Sequence, residues 1–356
     1  MQAQVNDAPP LWFIFDTGAN ATIIDAQLVR KLKLQAKGRA QGTASGGAIK
    51  AELIPGVSLS VPGVKVFNQT LASLPVNGIS PLFGKSIGGI IGYDFIRQFV
   101  VEVDYDAQVI NLYDPASYQY SGSGDILPIT FLNRKPFVNV KIKQEGRAAV
   151  EGTFMIDTGA NVAMTVNSPF VRMHQLLKSL TSLKRAHLGG LGGAAKSITA
   201  RAENIQLGRF VISQPLVSLS QAAQGSDASA NYAGVLGGEF FRRFTVILDY
   251  ARQRIIFEPN GHLAEPVEED MSGIELAADG EDFTTLVVNE AAADSPAAEA
   301  GLKEEDELVT IDSRPVSEFG LDKIRHMFRQ VGKEYLLGIK RGEQRLQVKI
   351  KLRRLI

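Results

Sequence analysis

Apolar residues in this chain come in short runs that stop at polar turns. The runs "LWFIFD" (11–16) and "TFMID" (153–157) read as strands that each end at a turn. "VEVDY" (101–105) and "VILDY" (246–250) lead into "QVINLY" (108–113) and "RIIFEP" (254–259), the pattern of two hairpins. "GYDFIRQF" and "GGEFFRRF" each have the length of one helical turn, and Pro, Gly and Ser punctuate the rest. Beyond residue 272 the pattern changes. "GIELAADG", "FTTLVVNE" and "DELVTID" read as strands, and "EYLLGIKRGEQRLQVKIKL" reads as a hairpin turning at Arg341–Gln344. "DSPAAEAGL" is a short helix with Ser295 as N-cap, Pro296 at the first position and Gly301 just past the end. "LDKIRHMFRQV" places Leu321, Ile324, Met327, Phe328 and Val331 at helical spacing.

The pattern also repeats. "FIFDTGAN" (13–20) returns as "FMIDTGAN" (154–161), and "SGGAIKAELI" (45–54) as "LGGAAKSITA" (191–200). "GGIIGYDFIRQF" (88–99) returns as "AGVLGGEFFRRF" (233–244), and "VEVDYDAQVINLYDP" (101–115) as "VILDYARQRIIFEPN" (246–260). Four blocks keep their order at offsets of 141 to 146 residues. Chance does not produce that, so the first 260 residues read as two copies of one β-rich lobe. "DPASYQYSGSGDILP" (114–128) reads as the connection between lobes, and "EPNGHLAEPVEEDMS" (258–272) as a linker. The expected organisation is a first lobe over 1–116, a second over 117–262 and a small α/β domain over 263–356.

Composition narrows the chemistry. The 356 residues exceed one ordinary core, and formal net charge is zero. Nothing in that balance draws the chain to nucleic acid or to an anionic membrane. No apolar run approaches the length that spans a bilayer. With no cysteine, disulfides, thiol catalysis and cysteine metal sites are excluded. His174, His187, His262 and His326 show no metal-ligand spacing, and no cofactor or metal is expected. The first residues, MQAQVNDAPP, lack a signal-peptide pattern. Lobe two has a long lead-in (126–152) where lobe one has only residues 1–12, so an outer strand and a signal segment are expected to have preceded this form.

A single Asp-Thr-Gly occurs by chance in roughly one chain of this length in ten, and its ordinary meaning is a turn after a strand. Two copies in repeated lobes mean more. Lobes packed about a pseudo-twofold axis would bring Asp16 and Asp157 side by side. Two carboxyls at hydrogen-bond distance cannot both ionise cheaply, so the pair would hold one proton. That suits acid–base hydrolysis, with the ionised member deprotonating a shared water and the protonated one bonding a substrate carbonyl. Thr17 and Thr158 could brace the turns across the axis, and Gly18 and Gly159 keep the backbone tight beneath the carboxyls.

These residues resemble the aspartic peptidases of the pepsin and retropepsin clan. The family pattern, an apolar pair before Asp-Thr-Gly and a later apolar-apolar-Gly, appears as "IFDTGA" with "IIG" (90–92) and as "MIDTGA" with "VLG" (235–237). The resemblance covers about residues 1–260. It implies a mainly β, two-lobed acid-protease barrel fold of duplicated retropepsin-like lobes. It makes Asp16 and Asp157 the catalytic pair and Thr17 and Thr158 the interlocking threonines. Gly92 and Gly237 would close the loop through which each catalytic turn threads. The glycine-rich stretches would be flaps, through Gly42, Gly46 and Gly47 in one lobe and Gly189, Gly190, Gly192 and Gly193 in the other. Neither has the tyrosine that pepsins carry there, and both also read as plain surface hairpins.

The tail "DSPAAEAGLKEEDELVTIDSRPV" (294–316) resembles the bacterial type of PDZ domain found in periplasmic proteases. That implies a loop and strand, Ser272, Gly273, Ile274, Glu275 and Leu276, that capture a C-terminal peptide ligand, facing a helix with Ile324 and Phe328. A domain that packs on the lobes and binds nothing is the competing reading, because acidic Glu275 lies near the carboxylate position. Two glycine motifs are decoys. "GLGGAA" (190–195) lacks the strand–turn–helix context of a dinucleotide site, and "GISPLFGKS" (78–86) has one residue too many for a phosphate loop.

The reading is therefore a monomeric aspartic endopeptidase acting on peptide or protein substrates with an optimum on the acid side of neutral, periplasmic or extracellular in a bacterium. The alternative is a silent peptide-binding adaptor on the same scaffold. Retention of both Asp, both Thr and both Gly argues against it.

Overall fold

The computed structural model describes all residues except 45, 46, 179, 181, 182, 191 and 192. The chain divides into two compact units: residues 1–74 with 89–267, and residues 75–88 with 268–355. No helix among the described residues is long and apolar enough to cross a membrane.

The first unit is built almost wholly of strands. In the first repeat the sheet runs from the glycine-rich hairpin inward: Arg39–Ala44, Gly47–Val61, Val64–Leu74, Ile23–Asp25, Ile87–Ile91, Leu11–Phe15 and Gln2–Val5. The second repeat follows the same order: Lys184–Gly190, Gly193–Arg201, Leu216–Ser220, Met164–Val166, Gly234–Gly237, Val150–Asp157 and Lys135–Lys143. Side-chain alternation explains why these runs become strands. Along Lys135–Lys143, residues Val138, Val140 and Ile142 face the core, while Asn139 and Lys141 face water.

A five-stranded sheet draws on both repeats, in the order Asp125–Pro128, Arg254–Pro259, Phe244–Asp249, Val100–Asp104 and Val109–Tyr113. Its central pair is antiparallel, with Glu102 opposite Ile247. Those two residues hold equivalent places in the repeats, so the pseudo-twofold axis passes between them. The two hairpins expected from "VEVDY…QVINLY" and "VILDY…RIIFEP" form, and so do the helical turns Tyr93–Ile96 and Gly238–Phe241. The stretch taken as an inter-lobe connection differs at its end. Asp125–Pro128 is an edge strand paired with Arg254–Pro259, because the exposed backbone edge of that strand accepts a partner whatever its side chains.

One large core runs through the unit, with two smaller buried clusters beside it. Beneath lobe two it becomes an aromatic cluster in which the Phe244 ring lies 5.0 Å from Phe210, 5.6 Å from Phe240 and 5.3 Å from Phe257, all buried.

The second unit contains a sheet in the order Ile274–Asp279, Thr285–Ala291, Glu307–Ile311, Glu334–Arg341 and Gln344–Lys351, with the short helices Ser80–Phe83, Pro296–Glu299 and Leu321–Met327. The helix Pro296–Glu299 starts as expected: the Ser295 hydroxyl accepts from the Ala298 amide, and Gly301 follows with φ +78°. The terminal hairpin turns where expected, with Arg341 opposite Gln344. The helix expected over 321–331 is shorter. Leu321–Met327 ends at Phe328, and Val331 is exposed, so helical spacing outran the turn that closes on Gly332. Residues 75–88 also fold with this unit, although the sequence places them inside lobe one.

Phe244→Ala is expected to cost about 3–5 kcal/mol, the usual range for emptying a buried aromatic site. A urea titration would show it as a lowered midpoint, and a midpoint within error of the parent would contradict the packing described.

Candidate active site

The site forms where the strands Leu11–Phe15 and Val150–Asp157 end. In lobe two that strand runs parallel to Gly234–Gly237, with Asp157 opposite Gly237. In lobe one the Asp16 amide donates to Ile91 O at 3.0 Å. Each turn then folds back on its own carboxylate. Asp16 Oδ1 accepts from the amides of Gly18 (2.7 Å) and Ala19 (3.1 Å). Asp157 Oδ1 accepts from those of Gly159 (2.9 Å) and Ala160 (3.1 Å).

The turns lock into each other. Thr17 Oγ1 donates to Ile156 O (2.7 Å) and accepts from the Thr158 amide (3.1 Å). Thr158 Oγ1 donates to Phe15 O (2.9 Å) and accepts from the Thr17 amide (3.2 Å). Thr17 is buried. Every polar group of the exchange is satisfied by the opposite lobe.

The glycines are there for space. A Cβ on Gly18 would lie 2.5 Å from Asp157 Oδ2, and one on Gly159 would lie 2.6 Å from Asp16 Cγ. A Cβ on Gly92 would be driven into Ala19 O at 2.8 Å, and one on Gly237 into Ala160 O at the same distance. The sequence reading missed a further matched pair. Gly89 and Gly234 lie so close to the backbone carbonyls of Ile23 and Thr165 that neither has room for a side chain. Their shared place three residues ahead of Gly92 and Gly237 in the repeat was the available signal.

The two carboxyls hydrogen-bond each other. Desolvation raises the Asp16 pKa well above the ordinary carboxylate range, and the Asp157 charge and hydrogen bond add to it. Asp157 is also raised, by desolvation, against the lowering effects of its bond to Asp16, of Lys135 and of its loop amides. The pair therefore keeps a proton at pH values where isolated carboxyls have lost theirs.

Lys135 is a second residue that the sequence reading missed. Lys135 lies two residues before Phe137, which faces Met155, two residues before Asp157. Its positive charge lowers the pKa of both carboxyls. Two equivalent tyrosines also feel the pair. Burial, then the Asp157 charge, raises Tyr105. Burial, then the Asp16 charge, raises Tyr250, whose hydroxyl has no hydrogen-bond partner among the described residues.

Both glycine-rich stretches form hairpins, closing at Ala44 opposite Gly47 and at Gly190 opposite Gly193. Gly42 pairs with Ile49, and Gly189 with Ala194. Gly46 and Gly192 lie outside the described residues.

In the second unit Ile274, Leu276, Ile324 and Phe328 are all buried in the domain core, and exposed Glu275 accepts from Asn289 Nδ2 (3.1 Å). The loop expected to capture a terminal carboxylate has already spent its donors. The Ser272 and Gly273 amides donate to Asp270 Oδ1 (2.8 and 3.0 Å), and the Ile274 amide donates to Ser272 Oγ (3.0 Å).

Residues 1–95 match a family model described as an aspartyl protease, and residues 266–352 match a PDZ domain model. The chain thus carries an aspartyl protease domain at its N-terminus and a PDZ domain near its C-terminus. No curated protein matches it.

Thr17→Val keeps the shape but strands Ile156 O and the Thr158 amide. We expect a loss of about 1–3 kcal/mol, read as a lowered melting temperature, while Thr17→Ser stays near the parent. Equal melting temperatures for Val and Ser would show that the exchange carries no stability.

Proposed function

We propose that the chain is an aspartic endopeptidase that hydrolyses peptide bonds with a water activated between Asp16 and Asp157. One observation carries this reading: two carboxyls from equivalent turns share a hydrogen bond, while each turn's own amides hold one oxygen of its carboxylate in place. A water bound between them would lose its proton to the ionised member as it attacks the peptide carbonyl. The protonated member would donate to the carbonyl oxygen, and the same two groups would then return a proton to the leaving amine. The aspartyl protease match over residues 1–95 supports the class. In this reading the two glycine-rich hairpins act as flaps over an extended peptide. The PDZ domain is a peptide-binding or regulatory module. Both aspartates come from one chain, so a monomer suffices. A periplasmic or extracellular location in a bacterium belongs to the same proposal, on the resemblance of the tail alone.

The test is cleavage of a peptide library by the wild type and Asp157→Asn across pH 3–8. Cleavage by the wild type that vanishes in the variant supports the assignment. A silent wild type over the whole range would overturn it.

The pKa directions set the pH dependence. Catalysis needs the shared proton, so the rate should fall as pH rises through the raised pKa of the pair. Lys135 holds that pKa down. Lys135→Met should therefore move the falling limb to higher pH, and a limb that stays put or moves down would remove Lys135 from the site.

Stability follows with a worked sign. Both carboxyls have a higher pKa folded than unfolded, so they favour the folded state most below the unfolded carboxylate pKa. That contribution is lost as pH rises through the folded values. Asp157→Asn should consequently melt higher than the wild type at pH 7, with the gap closing toward pH 3. A gap that widens on acidification would contradict the shared proton.

A further inference from the structure

We infer that the groove of the PDZ domain is already held by the chain's own strap, residues 75–88. In a PDZ domain a peptide adds to an edge strand opposite a helix. Here that edge strand is Ile274–Asp279, first in its sheet with a neighbour on one side only, and the helix is Leu321–Met327. Among the described residues no further strand is added to it. A helical turn, Ser80–Phe83, packs there instead, ending at Gly84 with φ +59°. A Cβ on Gly84 would lie 3.7 Å from Leu321 Cβ and 3.8 Å from Ala278 Cβ, touching both walls of the groove. Ala278 shares the strand face of Ile274 and Leu276, and all three are buried.

Arg325 fastens the strap. Its guanidinium donates to Leu82 O (2.7 Å), at the end of the helical turn, and to Leu276 O (2.9 Å), on the strand. One side chain therefore bridges the groove wall to its occupant. The carboxylate loop is closed as well, because Asp270 accepts the Ser272 and Gly273 amides that a peptide terminus would need. The occupant is the "GISPLFGKS" stretch, which resembles a phosphate loop in sequence only.

An external peptide reaches this groove only by displacing the strap, so its apparent affinity falls by the fraction of molecules that are open. The strap's own ends give displacement a route onward. It begins where the strand Val64–Leu74 stops and runs into Ile87–Ile91, whose last carbonyl accepts from the Asp16 amide. Occupancy of the groove does not depend on the peptidase reading, and its test measures no cleavage.

The native chain has no cysteine, which makes crosslinking clean. A Cβ separation of 3.8 Å between positions 84 and 278 matches the mean of natural disulfides. In the full chain carrying Gly84→Cys and Ala278→Cys, mild oxidation should close an intramolecular disulfide in most molecules. Gly56→Cys with Ala278→Cys should stay reduced, since nothing lies within 4 Å of a Cβ at Gly56. Hydrogen exchange gives a second reading that needs no cysteine. A four-residue helix has no stability of its own. The amides of residues 80 and 82–85 should therefore be protected in the wild type and exchange at least tenfold faster in Arg325→Met, with residues 64–74 unchanged. Free thiols in the 84/278 variant, or wild-type exchange over 80–85 at the rate of an unfolded peptide, would overturn the inference.

Discussion

The site depends on the exchange of hydrogen bonds between Thr17 and Thr158. Each hydroxyl bonds the backbone entering the opposite turn, and each turn's amide returns the bond. Buried peptide groups must find partners, and here those partners lie in the other repeat. Neither turn is complete alone, so each carboxyl, held by its own loop amides, is also fixed relative to the other. The glycines follow from that closeness: at Gly18 and Gly159 the partner's carboxyl takes the volume a Cβ would need. The sheet that pairs Glu102 with Ile247 applies the same symmetry further from the site.

Electrostatics then turns proximity into chemistry. Removal from water and the mutual repulsion of the carboxyls both favour a shared proton, while loop amides and Lys135 favour ionisation. The balance lies on the side of the proton, which is the state in which one carboxyl can act as acid and the other as base. Lys135 has no counterpart in the Asp-Thr-Gly motif. Its charge reaches both carboxyls all the same.

The PDZ unit reads differently once its strap is seen. Groove, edge strand and carboxylate loop are all present, yet Ser80–Gly84, Arg325 and Asp270 occupy the positions a ligand would use. On the proposal made above, such a domain would respond to a competitor rather than simply collect peptides.

The sequence by itself determined the repeated lobes, the paired Asp-Thr-Gly turns, the closing glycines Gly92 and Gly237, and the tail's short helix and terminal hairpin. All of these are written in local spacing or in self-similarity, which survive without coordinates. Tertiary structure decided the rest. The strand Asp125–Pro128 exists because a neighbouring edge was open, and Gly89 and Gly234 matter only because another strand's carbonyl lies against them. Lys135 is an ordinary lysine until the fold brings its charge to the two carboxyls. The strap lies inside the first repeat by sequence, but packs with a unit that begins about 180 residues later. No local pattern encodes that choice, because it rests on contacts between segments far apart in the chain.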